Sequence, residues 1–412
     1  MEFRDYQLEM IKKAKPLLEK DRFVYLAMEV RTGKTLTSLG VSALLPVQNL
    51  LFITKKKAIG SIEDDYKMLN PSYKITVVNY ESLHKIDQKG WDMVVCDESH
   101  GMGAFPKRNK RSTQVKSLIL KNNPYVIFLS GTPTPESYSQ MYHQVSIMKN
   151  HPFKEYTTFY KFAKKYVNIT QRKINSFLIN DYSCGLDTII SEMKPHTLSY
   201  TQKEAGFKVK TTEHVIEVDM LPITYQLAKK LTKNLVIEGK DDVILADTPV
   251  KLMMKLHQIY SGTVKFESGN SMVLDYSKAE FIHDNFIDIK IGIFYKFKQE
   301  LVALQKIYGD QLCTDLETFK STDKSIALQI VSGREGISLK EAKILVYYNI
   351  DFSATSYWQS RDRMTTKDRL ENDVYWIFSK GGIEHDIYQS VIKKKNYTLR
   401  HFERDLLNLN KI

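Results

Sequence analysis

The chain has little cysteine and no long apolar run. Its three cysteines are far apart among 412 residues, and no two form a C-x-x-C pair: Cys96, Cys184 and Cys313. Such spacing predicts neither a disulfide framework nor a zinc site and is typical of a reducing compartment. The most apolar stretch, residues 40–54, is interrupted by a proline and two amides. It falls short of the roughly 20 apolar residues of a membrane-spanning helix, so we expect no membrane partner.

Several classes of protein are excluded by what else is missing. The first fifteen residues carry charges of both signs and lack the apolar core of a secretory signal, so we expect a cytoplasmic location. Neither an internal repeat nor a low-complexity tract is found. With 42% hydrophobic and 26% charged residues, the composition is that of a folded globular protein. At roughly 100–200 residues per domain, the length predicts two or three domains.

Positive charge is in excess. Sixty Lys and Arg face 48 Asp and Glu, which gives a net charge of +12. This surplus favours a polyanionic partner, although charge alone does not say which polyanion.

Short apolar runs alternate with stretches of helical spacing, which predicts an α/β fold made of parallel sheets with crossover helices. The predicted strands form two series, residues 23–28, 50–54, 75–79, 92–96 and 125–130, and then 289–295, 325–331, 343–349 and 374–378. We therefore predict two lobes, residues 1–205 and 206–412. Helical insertions are expected at about 136–200 and 220–285, and a C-terminal helix pair at 383–407.

A candidate phosphate loop follows the first predicted strand. Thr32, Gly33, Lys34 and Thr35 lie at a strand-to-helix turn, where backbone N–H groups can surround phosphates. In such a loop the lysine contacts the β and γ phosphates and the threonine hydroxyl binds Mg²⁺. The glycine-rich part of the consensus is thin here, and an ordinary loop is the alternative interpretation.

Two further polar segments follow predicted strands. Asp97 and Glu98 begin a D-E-S-H sequence after an apolar strand, where one carboxylate can bind Mg²⁺ and the other can orient and deprotonate water. Paired acids at a strand end are otherwise ordinary surface charge. The sequence S-G-T-P at residues 130–133 follows the next strand and, taken alone, is typical of a turn.

Taken in order, these segments resemble a known family. F-R-D-Y-Q at residues 3–7, G-K-T, D-E-S-H and S-G-T-P are similar to the first motor lobe of superfamily 2 helicases, in particular the Swi/Snf-type DNA translocases. Further similarities are residues 291–301 to motif IV, 332–339 (S-G-R-E-G-I-S-L) to motif V, 359–363 (Q-S-R-D-R) to motif VI, and 381–395 to the closing helix. The resemblance covers nearly the whole chain and implies two RecA-like lobes, with ATP and Mg²⁺ as cofactors and DNA as partner.

The resemblance also implies roles for individual residues. Catalysis would depend on Lys34, Glu98 and Arg363, and the metal would be held by Thr35 and Asp97. The ATP-binding set would be Arg4, Gln7, Thr32, Gly33, Lys34, Thr35, Gly336, Gln359 and Arg363. Within it Gln7 would read the adenine edge and Arg363 would contact the γ-phosphate. Coupling of ATP to DNA would pass through His100, Ser130 and Thr132.

The DNA-contacting set implied by the resemblance is Lys55, Lys56, Tyr80, Ser332 and Gly333. No base-reading helix or zinc finger is recognisable, so we expect sequence-independent binding of double-stranded or branched DNA through phosphates. The chain is too short for a nuclease or chromatin-reading domain beside two lobes, so DNA shape or a protein partner would supply specificity. Such a compact motor would suit a phage or mobile-element genome.

The chain departs from the family pattern in motifs V and VI. Motif VI usually has a second arginine where this chain has Thr366. Lys367 and Arg369 are the candidate substitutes, although a lysine cannot reproduce the bidentate contacts of a guanidinium. In motif V, Arg334 replaces a glycine and Ser338 an asparagine. Three functions remain open: a DNA translocase acting in branch migration or fork remodelling, a strand-separating DNA or RNA helicase, and a nucleic-acid scaffold without ATP turnover.

Overall fold

The computed structural model describes residues 2–174, 177–239, 242–333, 337–366 and 369–393. The chain divides into two compact units, Met1–Phe207 and Lys208–Ile412, and each is described by itself.

The first unit is an α/β structure. Its strands are β1 (Phe23–Met28), β2 (Asn49–Thr54), β3 (Lys74–Asn79), β4 (Met93–Asp97), β5 (Tyr125–Leu129), β6 (Thr170–Ile174), β7 (Phe177–Asp181) and β8 (Thr197–Tyr200). Its α-helices are α1 (Asp5–Asp21), α2 (Lys34–Ala43), α3 (Ile59–Leu69), α4 (Lys110–Asn122), α5 (Gln140–Val145), α6 (Phe159–Tyr166) and α7 (Thr188–Met193).

Six of these strands form one parallel sheet in the order β3-β2-β4-β5-β1-β8. Side chains alternate between its faces, as the two-residue period of a strand requires. In β1, Phe23 and Tyr25 join a core with α4, α5 and α6, whereas Val24 and Leu26 join a core with α1, α2 and α3. Burial on both faces explains why the central strands are almost continuously apolar.

The segment after β5 is not wholly helical. Beside α5, α6 and α7 it contains the antiparallel hairpin β6–β7 and then β8, which joins the main sheet next to β1. Three consecutive apolar residues at 177–179 lack helical spacing, which suits a strand.

The second unit repeats this plan. Its strands are β9 (Lys210–Val218), β10 (Val236–Glu238), β11 (Val243–Leu245), β12 (Thr263–Lys265), β13 (Ser271–Val273), β14 (Ile291–Tyr295), β15 (Leu312–Cys313), β16 (Ser325–Gln329), β17 (Ile344–Tyr347) and β18 (Glu371–Ser379). Its α-helices are α8 (Pro222–Asn234), α9 (Pro249–Tyr260), α10 (Ser277–Phe286), α11 (Lys298–Tyr308), α12 (Leu316–Ser321), α13 (Ile330–Gly333), α14 (Ala354–Arg361) and α15 (Glu384–Val391).

A second six-stranded parallel sheet has the order β15-β16-β14-β17-β18-β9. The predicted fold class, two RecA-like parallel-sheet lobes, is thus confirmed. The segment predicted as the second helical insertion holds α8, α9 and α10 together with the small hairpins β10–β11 and β12–β13. Helix α15 lies within the predicted C-terminal pair, and the rest of that pair from residue 394 lies outside the described residues. In the part of the chain that is described, no helix is long and apolar enough to cross a membrane.

Candidate nucleotide and nucleic-acid sites

Three predicted motif segments lie at one edge of the first sheet. Strands β4, β5 and β1 are parallel neighbours, so their carboxyl ends point to the same edge. The segments 29–33, 98–100 and 130–133 follow these ends directly. Loops outside the carboxyl ends of parallel strands are where ligands bind in open α/β sheets.

Gly33 forms the turn into α2 with φ 79° and ψ 35°, a left-handed conformation that favours glycine. No side chain caps the start of α2, so the first N–H groups of this ten-residue helix remain available to an anion. The loop itself is held from within, because buried Thr32 donates from Oγ1 to the Glu29 carbonyl at 2.7 Å and Thr37 donates from Oγ1 to the Gly33 carbonyl at 3.0 Å. Lys34 and Thr35 are half-buried in the first turn of α2.

The N-terminal residues lie against this loop. Gln7 accepts at Oε1 from the Arg4 backbone N–H at 2.9 Å and donates from Nε2 to the Gly33 carbonyl at 3.3 Å. The Tyr6 hydroxyl donates to the Thr32 carbonyl at 3.0 Å. Both ends of the Gln7 carboxamide therefore have protein partners, and each end can make one further hydrogen bond. Arg4 is exposed beside it.

One support of the loop could not be predicted from the sequence. Tyr200, at the end of β8, stacks on the Tyr6 ring with centroids 4.6 Å apart. Gln202 follows, donating from its backbone N–H to Glu29 Oε2 at 2.7 Å and from Nε2 to the Val30 carbonyl at 2.9 Å. The only sequence signal is the short aromatic-ended run at 197–200, which falls within the predicted helical insertion.

Asp97 ends β4 and is fixed by its neighbours. Its Oδ2 accepts from Thr54 Oγ1 at 2.7 Å. Burial raises the pKa of the Asp97 carboxyl to about 6, the negative charge of Glu98 adds to this, and the positive charge of Lys34 opposes it. Glu98 itself has φ 48°, an uncommon conformation for a residue other than glycine and one associated with functional sites.

The D-E-S-H and S-G-T-P segments are joined by a histidine. Nδ1 of His100 lies 3.2 Å from Glu98 Oε2 and 2.9 Å from Ser130 Oγ. The same Ser130 oxygen accepts from the Thr132 backbone N–H at 3.1 Å. The structure thus brings together the three residues to which the sequence assigned coupling, and links them to Glu98.

A second link runs through the buried face of the sheet. Ser99 donates from Oγ to the Tyr25 hydroxyl at 2.8 Å, and that hydroxyl donates to Gln144 Oε1 at 3.0 Å. Gln144 Nε2 then donates to the Pro133 carbonyl at 2.8 Å. This chain of hydrogen bonds connects β1, the D-E-S-H segment, the S-G-T-P loop and α5. It joins residues more than a hundred positions apart, so no local sequence pattern could have indicated it.

The DNA-contacting residues predicted in the first unit behave differently from one another. Lys55 is half-buried and Lys56 is exposed, directly after β2. Tyr80, in contrast, is buried, and its hydroxyl donates to the Asp97 carbonyl at 2.7 Å. The Tyr80 ring thus fills the space beside β4, and contact of DNA with this segment stays a prediction.

In motif V, Ser332 is exposed and donates from Oγ to the Gln329 carbonyl at 3.1 Å. Gly333 is buried, and a Cβ there would lie 2.8 Å from Phe294 Cε1, so close packing requires the glycine. Gly336, predicted to bind ATP, lies outside the described residues.

Motif VI is anchored to motif V. Gln359 and Arg363 are buried. Arg363 donates from Nη1 to the Ile337 carbonyl at 3.4 Å and accepts at its own carbonyl from the Leu339 N–H at 2.9 Å. Two hydrogen bonds therefore connect the two motifs.

Arg369, one of the two candidates to replace the arginine absent at Thr366, is bound to backbone carbonyls. Its Nη1 donates to the Ala342 carbonyl at 2.6 Å, its Nη2 to the Lys343 carbonyl, and its Nε to the Glu371 carbonyl at 3.1 Å. These backbone contacts give Arg369 a structural role next to β18. Lys367 lies outside the described residues.

A carboxylate that the sequence did not single out organises α14. Glu213, on β9, accepts from Arg361 Nη1 at 2.7 Å and the Tyr357 hydroxyl at 2.7 Å. It also accepts from Trp376 Nε1 at 2.8 Å and the Tyr388 hydroxyl at 3.0 Å. Glu213 thereby ties together β18, α15 and the end of α14, close to motif VI. Its sequence neighbours Thr212 and His214 are polar, Thr212 exposed and His214 half-buried, so nothing local distinguished it.

Comparison with known proteins identifies the family. The model of the SNF2-related domain matches residues 24–262, which is more than half of the chain. The chain therefore belongs to the SNF2-related family, and the predicted Swi/Snf-like kinship is confirmed.

Two curated relatives are similar to this chain. The CHD3-type chromatin-remodeling factor PICKLE of Arabidopsis thaliana is 21% identical over 379 residues, covering 84% of this chain and 26% of that protein. The Xenopus laevis SWI/SNF-related matrix-associated actin-dependent regulator of chromatin subfamily A-like protein 1 is 20% identical over 344 residues, covering 78% of this chain and 34% of that protein. The chain spans about a quarter to a third of the length of these relatives.

Among solved structures, the Sulfolobus solfataricus SWI2/SNF2 ATPase core in complex with dsDNA is similar at 16% identity and a TM-score of 0.43, covering 95% of this chain and 91% of that one. The Sulfolobus solfataricus SWI2/SNF2 ATPase core domain is similar at 16% identity and a TM-score of 0.43, covering 96% of this chain and 89% of that one.

Proposed function

We propose that this chain hydrolyses ATP with Mg²⁺ and uses the reaction to translocate along double-stranded DNA. The observation that carries the proposal is the meeting of three polar segments at the carboxyl ends of β1, β4 and β5, in a chain of the SNF2-related family. An uncapped helix N-terminus and two adjacent carboxylates are the groups that phosphoryl transfer from a nucleotide requires.

The residues at this edge suit Mg²⁺ and phosphate. Mg²⁺ is usually bound by one or two carboxylates together with substrate phosphates, and Asp97 with the Thr35 hydroxyl would provide that set. The raised pKa of Asp97 supports this assignment, because a buried carboxylate at this position is stabilised by a cation. When bound, Mg²⁺ would neutralise charge that develops on the phosphate oxygens.

The other roles follow from position and chemistry. Lys34 and the N–H groups of α2 would hold the phosphates, with Thr32, Gly33, Arg4 and Gln7 shaping the same site. Glu98 would orient and deprotonate the attacking water, since its contact with His100 fixes the carboxylate.

In the second unit, Gln359 and Arg363 would act on the nucleotide, and motif V at Ser332 and Gly333 would respond to DNA. We expect Arg363→Ala to slow hydrolysis by roughly 10³-fold while ATP still binds, because a finger arginine stabilises charge only as the phosphoryl group transfers. Equal loss of ATP binding, measured with a fluorescent ATP analogue, would make Arg363 a structural residue instead.

Binding of DNA is supported by the net charge of +12 and by the exposed Lys56 after β2. We infer contacts with phosphates and not with bases, in the cytoplasm, on duplex or branched DNA. DNA shape or a protein partner would then decide where the motor acts.

Phosphate release measured with and without duplex DNA tests the proposal. We expect duplex DNA to accelerate release and Glu98→Gln to reduce it by at least about a hundredfold. Displacement of a triplex-forming strand without separation of a labelled duplex would identify translocation, whereas duplex separation would identify a helicase. A protein that binds DNA and releases no phosphate would be a scaffold.

A further inference from the structure

A basic cleft lies in the first unit, away from the motif loops. It has a volume of about 630 Å³ and is bounded by α4, by residues 106–108 and by residues from 142 to 160. Its volume falls in the range of roughly 300–1,000 Å³ typical of ligand pockets. Among the described residues that line it, none belongs to the segments 29–35, 97–100 or 130–133.

The charge of the cleft is of one sign. Five cationic side chains line it and no Asp or Glu does: Lys107, Arg108, Lys116, Lys149 and Lys154. None of the five forms an ion pair within the part of the chain that the structure describes. Lys107, Lys149 and Lys154 are exposed at its rim, whereas Arg108 and Lys116 are half-buried. Buried charge without a counterion is unfavourable, so an anion at this position would be stabilising.

Arg108 is held in place without being neutralised. It donates from Nη1 to Ser112 Oγ at 2.6 Å and to the His143 carbonyl at 3.0 Å, and from Nη2 to Ser146 Oγ at 2.7 Å and to the Ser146 carbonyl at 3.3 Å. All four acceptors are uncharged. The guanidinium therefore occupies a fixed position and keeps its full positive charge at the cleft.

Two histidines also line the cleft. Burial lowers the pKa of His143 to about 4, and the charges of Arg108 and Lys116 act in the same direction. Burial likewise lowers the pKa of His151 to about 4, with Lys116, Arg108 and Lys154 contributing. Both rings are thus neutral at pH 7, and Nε2 of His143 donates to the Pro106 carbonyl at 2.9 Å.

Aromatic side chains accompany the cations. Tyr156, Phe159 and Tyr160 line the cleft, and the Tyr160 side chain is 49% exposed. Cations that follow a backbone, together with aromatic rings on which bases stack, are the combination that binds single-stranded nucleic acid. We propose that this cleft binds a few nucleotides of a single nucleic-acid strand, with the lysines on phosphates, the fixed charge of Arg108 adding to the attraction, and Tyr160 stacked on a base.

This site is separate from the proposed duplex contact and needs no ATP. The test is fluorescence anisotropy of a labelled single-stranded DNA of about ten nucleotides, within the usual footprint of about 4–16. The variant Lys149→Glu/Lys154→Glu changes only exposed residues, so the fold should be kept. We expect binding to weaken at least tenfold. The slope of log K against log salt should fall by about 1.4, because each lysine that no longer neutralises a phosphate lowers it by about 0.7. Tyr160→Ala should weaken binding about fivefold or more.

The matched control is Lys121→Glu/Lys164→Glu, which makes the same charge change at exposed positions on α4 and α6 outside the cleft. It should change binding less than twofold. Equal weakening by both double variants would show a general charge effect and overturn the site. Unchanged binding by the cleft pair, Lys149→Glu/Lys154→Glu, would overturn it as well. A different result would assign the cleft to a protein partner instead: the wild-type protein binds a phosphoserine peptide and not the oligonucleotide, and the cleft pair abolishes the peptide binding.

Duplex-stimulated phosphate release in the cleft pair separates this site from the proposed motor function. Retained stimulation supports two separate sites, and abolished stimulation would make the cleft part of the duplex contact and overturn the separation. If the wild-type protein released no phosphate at all, the motor would fail while the strand-binding result still stood.

Discussion

Replacing Gly33 by alanine tests the contact between the phosphate loop and Gln7. A Cβ at Gly33 would lie 2.3 Å from Gln7 Nε2, and its φ of 79° is one that L residues rarely adopt. The left-handed conformation costs alanine about 1–2 kcal/mol. Moving the carboxamide away loses a hydrogen bond worth about 0.5–1.5 kcal/mol. Together these effects predict a loss of roughly 1.5–3.5 kcal/mol in the free energy of unfolding of the first unit.

A double-mutant cycle in urea separates the two effects. The wild-type protein, Gly33→Ala, Gln7→Ala and the double variant are unfolded, and their free energies of unfolding are compared. With Gln7 shortened to alanine the steric conflict disappears, so Gly33→Ala should cost about 0.5–1.5 kcal/mol less in that background. Costs that add to within about 0.3–0.5 kcal/mol would refute the contact, and an unaffected Gly33→Ala would refute the backbone strain as well.

Three further predictions concern other contacts. Lys278→Met should lower the free energy of unfolding by about 3–5 kcal/mol in urea, because it leaves Glu384 without its partner at 2.7 Å in a fully buried ion pair; adding Glu384→Leu should restore much of the loss. Ser130→Ala removes the hydroxyl next to His100 and should lower DNA-stimulated phosphate release about fivefold, the value of one hydrogen bond near 1 kcal/mol, with ATP binding unchanged. Glu213→Gln should lower the free energy of unfolding by about 1.5–3 kcal/mol, because it removes a charged acceptor for four donors. It should also slow ATP hydrolysis more than it weakens ATP binding.

Each of these has an outcome that would contradict it. A double variant at Lys278 and Glu384 no more stable than the single one would show that the cost lies in packing and not in the charge. Loss of DNA stimulation by Ser130→Thr, which keeps the hydroxyl, would argue against the hydrogen bond. A Glu213→Gln protein with normal hydrolysis would limit that residue to stability.

The central strands could be predicted because both of their faces are buried. Residues 23–28 and 125–130 were assigned from continuous apolar composition, and they form β1 and β5. The edges were harder to predict. The strand β8 and the two-residue β15 were missed. Edge strands pair on one side only and carry polar, partly exposed residues, so their composition does not distinguish them from loops.

The candidate site likewise contains residues that the sequence could identify and contacts that it could not. Lys34, Asp97 and Glu98 could be found because they directly follow predicted strands, where parallel topology fixes the edge they share. Contacts that depend on packing could not be found. Tyr80 matched a DNA-contacting pattern yet is buried against β4, and Glu213 gained its role only from four donors more than 140 positions away in sequence.

The most direct measurement is the rate of phosphate release from ATP and Mg²⁺, with and without duplex DNA, by the wild-type protein and by Glu98→Gln. If the protein is an ATP-driven DNA motor, duplex DNA should raise the wild-type rate of phosphate release, and added salt should reduce that increase. Glu98→Gln should still bind ATP but release phosphate at least about a hundredfold more slowly. A wild-type rate that duplex DNA leaves unchanged, or a Glu98→Gln rate equal to that of the wild type, would contradict it.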